Sequence, residues 1–343
     1  VPVIPARRYP RPKPYWNATL RYHERCRLGP RGELIGWVAG APFPNPTSGL
    51  ELAWDFDKRH MTGDQYSFYG VFRLFDRNAK LERTFRWHYW KMFYCGRYEM
   101  PPLPEVPGNR YVIHLKEAFT ILRPFDVKGF SVIRTRYIDV HRPDEVYSYL
   151  PALRRMRRLT GADVCDPVLG SDVIYDDFEF LRQKINPRMT FEMAERQMLV
   201  PSQLPLSKGF PDVHLLNSKR LVGAYLLEWP WEVRPIWVLT LHTNDREYPY
   251  SRRVVYLEKQ RLTGVGYYLN TYDWKGRLYR SGIYWSCYQS KDAIAPYGPY
   301  TRACSFTSRL ARHQTFMDFH CTAPDLTITP KQFTFRWLLR RAR

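Results

Sequence analysis

From Gln65 onward, apolar and aromatic positions alternate with polar ones over long stretches, the period-two pattern of half-buried strands. The pattern predicts strands over Tyr66–Phe75, Lys80–Tyr94, Tyr111–Leu122, Gly129–Val140 and Val146–Leu150. It resumes over Arg188–Leu199, Leu221–Glu228, Val233–Thr243, Tyr250–Glu258, Arg261–Tyr272 and Arg277–Ser286. Asp273-Trp274-Lys275-Gly276 reads as a tight hairpin connection between the last two. In TFRWHYWKMFY, Phe85, Trp87, Tyr89 and Phe93 share one face with Lys91, while Arg86, His88, Trp90 and Met92 share the other. Both faces are aromatic, so both are expected to be covered, one by core and one by a lid or ligand. These eleven segments predict a mainly β chain on one large, curved antiparallel sheet.

Helical signals are few. A short helix is expected around Ala18–Arg27, and a second from Gly49 to about Arg59, capped by Thr47 or Ser48. Asp172–Lys184 reads as a short amphipathic helix ended by Asn186-Pro187. Thr329-Pro330 opens a last helix, whose Arg340, Arg341 and Arg343 suit its negative C-terminal end. The first sixteen residues, rich in proline and arginine, read as an extended arm outside the core. MPPLPEVPG (Met100–Gly108) is a loop between strands.

Composition supports the β reading: 16% of the 343 residues are aromatic, which suits pleated, half-buried surfaces. With 53 Lys+Arg against 33 Asp+Glu, the net charge of +20 favours anionic partners. The basic residues are scattered, however, and no zinc-finger spacing or RNP-type motif accompanies them, so nucleic acid is not an expected partner. No run of about 18 apolar residues occurs, so no membrane-spanning helix is expected. The N-terminus has no apolar h-region, and for an exported protein the signal peptide is then already removed.

Catalytic signals are weak. Gly129-Phe130-Ser131 lacks the second glycine of a nucleophile elbow, and Gly264-Val265-Gly266 is an incomplete dinucleotide fingerprint. The histidines show no H-x-x-x-H spacing, and His320-Cys321 would point to opposite sides of a strand. No enzyme activity, cofactor or metal is expected. Asp172, Asp176, Asp177 and Glu179 suggest a cation site, but acids early in a helix also satisfy its dipole, and the second reading is preferred.

Arginines crowd EVYSYLPALRRMRRL (Glu145–Leu159). As a strand, this segment puts Arg155 and Arg157 on one face and Arg154, Met156 and Arg158 on the other. Charge on both faces places the strand at a sheet rim or polar mouth. The preferred reading pairs Arg154, Arg155, Arg157 and Arg158 with the acidic segment Asp172–Glu179; the sharper one has them meet an anionic headgroup.

That segment also carries a family resemblance, with DPVLGSDVIYDDFEFL (Asp166–Leu181), GAPFPNPTSGLELAWDF (Gly40–Phe56), YPYSRRVVYLEKQRLTGVGYYLNTYDWKGRLYR (Tyr248–Arg280) and DLTITPKQFT (Asp325–Thr334). Together these blocks resemble a bacterial periplasmic family of unknown function that is outer-membrane lipoprotein-sorting-like, within the LolA/LolB-like superfamily. The resemblance covers most of the chain from about Gly40. It implies a strongly curved, unclosed antiparallel β-barrel with helices covering an apolar concave face that holds acyl chains in the carriers. It supplies no catalytic residues. The expected organisation is an arm with a short helix over residues 1–39 and one half-barrel domain over 40–343.

The resulting expectation is a non-enzymatic periplasmic carrier or chaperone for a lipid or other hydrophobic molecule, peripheral to a membrane at most. Its ligand is expected against Trp54, Phe72, Trp87, Trp90, Tyr147, Trp237 and Tyr256. The alternative is a structural or accessory subunit of an envelope assembly, with a self-filled cavity and an arm docked on an acidic partner such as a pump or outer-membrane protein. In a periplasmic setting, Cys26, Cys95, Cys165, Cys287, Cys304 and Cys321 are expected to form at least two disulfides of undetermined pairing.

Overall fold

Thirteen antiparallel strands join edge to edge in the computed structural model, with a two-residue strand added in parallel. The structure describes residues 1–7, 9, 12–60, 62–160, 165–180, 183–186, 189–205, 212–219, 221–259, 265–288 and 300–341. Arg188, the Arg261–Gly264 start of one predicted strand, Leu181–Arg182 of a predicted helix, and Arg343 lie outside the described residues.

A small pair, β1 (Arg27–Leu28) and β2 (Leu34–Ile35), stands apart. The first meander runs β3 (Gln65–Phe75), β4 (Leu81–Phe93), β5 (Ile113–Arg123), β6 (Ser131–Tyr137), β7 (Glu145–Leu150) and β8 (Arg155–Leu159). β9 (Met189–Pro201) and the two-residue β10 (Leu204–Pro205) follow, then a separate hairpin of β11 (His214–Asn217) and β12 (Val222–Tyr225). The second meander runs β13 (Trp231–Thr243), β14 (Arg252–Glu258), β15 (Gly266–Tyr272), β16 (Leu278–Tyr288), β17 (Tyr300–Ser308) and β18 (His313–Thr322). β3 pairs with β18 and joins the two meanders, β9 pairs with β13, and β8 and β9 are the open edges. The sheet is therefore unclosed.

Ten of the eleven predicted strands lie in the sheet, while Leu221–Glu228 gives β12 of the separate hairpin; the arginine strand β8 and two strands that escaped the pattern, β17 and β18, complete the thirteen. Ser, Thr and Cys dilute the apolar signal of β17 and β18, YTRACSFTS and HQTFMDFHCT. Helix α1 spans Lys13–Tyr22, earlier than expected, because Pro12 at the N-cap and Pro14 in the first turn start it. Helix α2 spans Gly49–Asp57, where the Ser48 hydroxyl accepts the Glu51 N–H at 3.2 Å. The C-terminal helix is split. Thr329 and Gln332 form a capping box on a 3₁₀ turn over Pro330–Phe333, extended Thr334 interrupts, and α3 covers Phe335–Arg341. No helix among the described residues is long and apolar enough to cross a membrane.

Both faces of β4 are covered, as its sequence requires. Phe85, Trp87, Tyr89 and Phe93 enter the main core with Phe72, Trp285 and Phe316. Trp90 and Met92 enter a second cluster on the other face, closed by Ile328, Phe333 and Leu338; the Trp90 and Trp337 rings meet edge-on at 4.7 Å. Helix α3 thus packs on the face opposite the main core.

The N-terminal segment is not a detached arm. Ile4 N donates to Trp231 O and Trp231 N to Pro2 O, extending a ladder at the start of β13. Tyr9 is buried with its hydroxyl on Glu232, and Arg7 N donates to the same carboxylate at 2.8 Å.

Candidate ligand cavity

One face of nine consecutive strands, β8 through β3 to β16, borders a single cavity of about 350 Å³. Nine flat strands would span about 40 Å at their usual spacing, so lining one such space requires the sheet to curl around it. Ligand pockets are commonly about 300–1,000 Å³. The walls are mainly apolar: Phe68 from β3, Trp87 from β4, Phe119 from β5, Val132 from β6, Phe306 from β17 and Met317 from β18. Gly70 lies opposite Trp87, and a Cβ there would fall 2.1 Å from the indole ring. A glycine at that strand position lets the ring lie across β3.

At one wall the apolar lining meets a buried polar network. Glu117 accepts from the hydroxyls of Tyr89 at 2.9 Å and Tyr175 at 3.0 Å, and Lys91 Nζ is 3.2 Å away. The same ammonium is 2.5 Å from Glu179, which also accepts from Tyr66 at 2.6 Å. The buried Glu117 and the half-buried Glu179 thus share one lysine and three phenols, which offsets their desolvation. Tyr89, Tyr175 and Glu179 also line the cavity, so a mainly apolar space carries a cluster of hydrogen-bonding groups on this wall.

The remaining wall is the segment from Asp166 to Glu179. It is not the amphipathic helix expected over Asp172–Lys184. Its 3₁₀ turn over Tyr175–Phe180 is broken by extended Phe178 and left-handed Glu179. The acids are bound by separate parts of the chain, Asp172 from β18, Asp176 and Asp177 from the stretch entering β14, and Glu179 from β3 and β4, and those anchors override helical geometry. Asp172 accepts from Thr315 at 2.9 Å and meets His313 Nδ1 at 2.6 Å. Asp176 accepts from Tyr248 at 3.1 Å, and Asp177 accepts from Tyr250 at 2.8 Å. Arg253 lies 3.0 Å and Arg280 3.7 Å from Asp177. The acids therefore neither cap a helix nor form a cation site, and no metal-binding group occurs among the described residues.

His313 also lies 3.0 Å from Glu82. The hydrogen bond to Asp172, with the charges of Asp172 and Glu82, outweighs opposing burial and raises its pKa from 6.5 to about 9. With the folded pKa above the unfolded one, its stabilisation is complete below about pH 6.5 and is lost as pH rises through about 9. NMR titration of the imidazole should give a midpoint near 9; a midpoint near 6.5 would refute its pairing with Asp172 and Glu82.

The sequence-predicted residues scatter over this architecture. Trp87 lines the cavity, and Phe72 is buried behind it, with ring centroids 5.1 Å apart. Trp54, itself on α2, is buried with Nε1 donating to Gly32 O at 2.8 Å. Trp90 and Tyr147 contact Trp337 and Phe335 of α3 on the opposite face. Trp237 lies under Lys259, and Tyr256 packs on Tyr268. The positions missed, Phe119, Val132, Phe306 and Met317, follow from strand parity and register and not from aromatic size.

The arginine strand is an edge strand, β8, with the predicted parity. Arg155 pairs with Leu150 and Arg157 with Ser148, and Ser148, Leu150 and Arg157 line the cavity. Arg158 and Met156 face the other way, opposite Tyr147 and Tyr149. The expected pairing of these arginines with Asp172–Glu179 is corrected: Arg253, Arg280, His313 and Lys91 bind those acids. The disulfide expectation is also corrected, because all six cysteines are thiols. Strand register separates them: Cys304 lies opposite Tyr284 and Met317, Cys287 opposite Tyr300, and Cys321 opposite Phe68. Burial pushes the thiols of Cys26 and Cys95 up to about 11 and about 12, away from thiolate reactivity.

The fold has solved counterparts. An outer membrane lipoprotein-sorting protein domain from Vibrio parahaemolyticus superposes with a TM-score of 0.56 at 17% identity, covering 85% of this chain and 97% of that one. A DUF1329 family protein from Desulfovibrio piger gives 0.55 at 15% identity, covering 84% and 97%. A LolA superfamily protein from Nitrosomonas europaea gives 0.49 at 12% identity, covering 85% and 100%. No functionally curated protein matches the sequence. The match to the family described as Protein of unknown function (DUF1329) extends over residues 1–320, and the chain belongs to that family.

Proposed function

We propose that the protein is a non-enzymatic carrier or chaperone of the bacterial envelope that holds a lipid chain or similar hydrophobic molecule in the cavity. The observation that carries this reading is the space of about 350 Å³ walled mainly by apolar side chains from nine strands, with a polar cluster of Tyr89, Tyr175 and Glu179 on one wall and Ser148 and Arg157 on the β7–β8 side. Each methylene transferred from water to such a lining gains about 0.8 kcal/mol. Tyr175, Tyr89 and Glu179 would orient the polar end of the molecule. The likeness to a lipoprotein-sorting domain supports a periplasmic setting. An accessory subunit with a self-filled sheet would need its own side chains to occupy this space, and the cavity favours the carrier.

The test is uptake of a fluorescent fatty-acid probe, with native mass spectrometry and lipid extraction of the purified protein. Leu150 lines the cavity from β7 and is only half-buried, so Leu150→Trp adds bulk where the backbone is tolerant. The variant should bind the probe about tenfold more weakly with an unchanged melting temperature. No extracted lipid and no probe uptake by the wild type would reject the proposal.

A further inference from the structure

Beyond the cavity, two neighbouring hairpin turns expose large apolar side chains, one of them the most exposed among the described residues. Phe125, in the turn from β5 to β6, is 91% exposed, and Leu153, in the turn from β7 to β8, is 64% exposed. The start of β6 pairs with the end of β7, Ser131 against Tyr149, so both turns emerge at one end of the sheet, about 10 Å apart by strand spacing. A large apolar side chain at a turn tip gains nothing from the fold it leaves. Two such tips side by side form an apolar edge.

The surroundings of that edge are basic. Arg86 and Arg123 lie directly opposite each other across β4 and β5, both exposed, and no described residue gives either an acidic partner. They border a shallow depression with Thr84, Pro124 and Phe125. Like charges at directly opposed positions destabilise a sheet, so this pairing weakens the fold unless an anion sits on it. Lys128, Arg154, Arg155 and Arg158 add exposed positive charge on the same two hairpins. The acid in the first turn, Asp126, is neutralised by Arg83. These hairpins also wall the cavity through Phe130, Leu150 and Arg157.

We propose that this rim docks the protein onto an anionic lipid bilayer. Phe125 and Leu153 enter the headgroup boundary, and Arg86, Arg123, Lys128 and Arg154 meet the phosphates. Apolar side chains ringed by Lys and Arg are the chemistry of interfacial membrane binding. An acidic protein would answer the charge but leave the two turn tips uncovered. The contact goes beyond the carrier reading and can fail independently of it.

Sedimentation of the full chain with vesicles of phosphatidylglycerol and phosphatidylethanolamine, against pure phosphatidylcholine, tests the proposal. Binding is expected to the anionic vesicles alone and to fall as salt rises from about 50 to about 500 mM. The double variant Phe125→Ser, Leu153→Ser and the double variant Arg86→Gln, Arg123→Gln should each bind about tenfold more weakly. All four positions are exposed, so neither double variant should lower the melting temperature, and relief of the opposed arginines should if anything raise it in the second; the first double variant should still take up the fatty-acid probe. Leu150→Trp should keep its vesicle binding. Equal sedimentation with neutral and anionic vesicles, wild-type binding by either double variant, or loss of binding in Leu150→Trp would each overturn the proposal.

Discussion

Asp177→Ala is expected to lower stability by about 3–5 kcal/mol, because it removes one partner of a buried ion pair and leaves the others in place. The Asp177 and Arg253 side chains are 1% and 2% exposed, and their atoms lie 3.0 Å apart, at ion-pair distance though off the hydrogen-bond angle. Asp177 also accepts from Tyr250 at 2.8 Å and from Ile174 N at 2.9 Å, with Arg280 at 3.7 Å. Removing the carboxylate strands two guanidiniums and a phenol where water does not reach. Burial opposes the charge of Arg253, but Tyr248 and Asp177 outweigh it and hold its pKa above the ordinary value. A charged arginine is therefore what remains. Urea unfolding should show the loss, and Asp177→Asn with Arg253→Met should recover part of it. A loss under about 1 kcal/mol for Asp177→Ala would show that this carboxylate is not what pins the segment. Because Asp177 fixes the wall from Asp166 to Glu179, the same variant should also weaken probe uptake.

The sheet was legible where the alternation was apolar enough to register. TFRWHYWKMFY announced a strand covered on both sides, and β4 is one. Arg155 and Arg157 were assigned a common face, and they pair with the β7 residues Leu150 and Ser148, which line the cavity. What escaped depends on contacts distant in sequence. DVIYDDFEF has the composition of a capped helix, yet His313, Arg253 and Lys91, far along the chain, each bind one of its acids and pull it into a broken turn. Of the cavity lining little was legible: Trp87 stood out by size, whereas Met317 and Phe319 belong to a strand not predicted. Their alternation with Asp318 and His320 was the available signal.

The N-terminal segment gives the second large effect. A proline- and arginine-rich stretch reads as a solvated arm, and such an arm would be removable at no cost to the domain. Instead, deletion of residues 1–9 is expected to destabilise the protein by about 3–5 kcal/mol. The segment supplies the Tyr9 hydroxyl and the Arg7 N–H to Glu232, and the Arg7 carbonyl to Arg234 Nη1 at 2.6 Å. Gln203 N donates to the Tyr9 oxygen at 2.7 Å, so one phenol links β13 to the turn after β9. Glu232 and Arg234 are 0% and 1% exposed, and Glu258, which accepts from Tyr267 at 2.6 Å, completes the cluster. Burial acts against the charge of Arg234, but Glu258, Tyr267 and Glu232 hold its pKa above the ordinary value, so the cluster stays ionised when the segment leaves. Tyr9→Phe alone removes the hydroxyl and should cost about 1–3 kcal/mol. Urea midpoints of both variants separate the two pictures. A truncated chain as stable as the full one would return the segment to the status of a free docking arm. A large loss with a smaller one for Tyr9→Phe means that this stretch is the outermost piece of the sheet, closing the start of β13 as a neighbouring strand would.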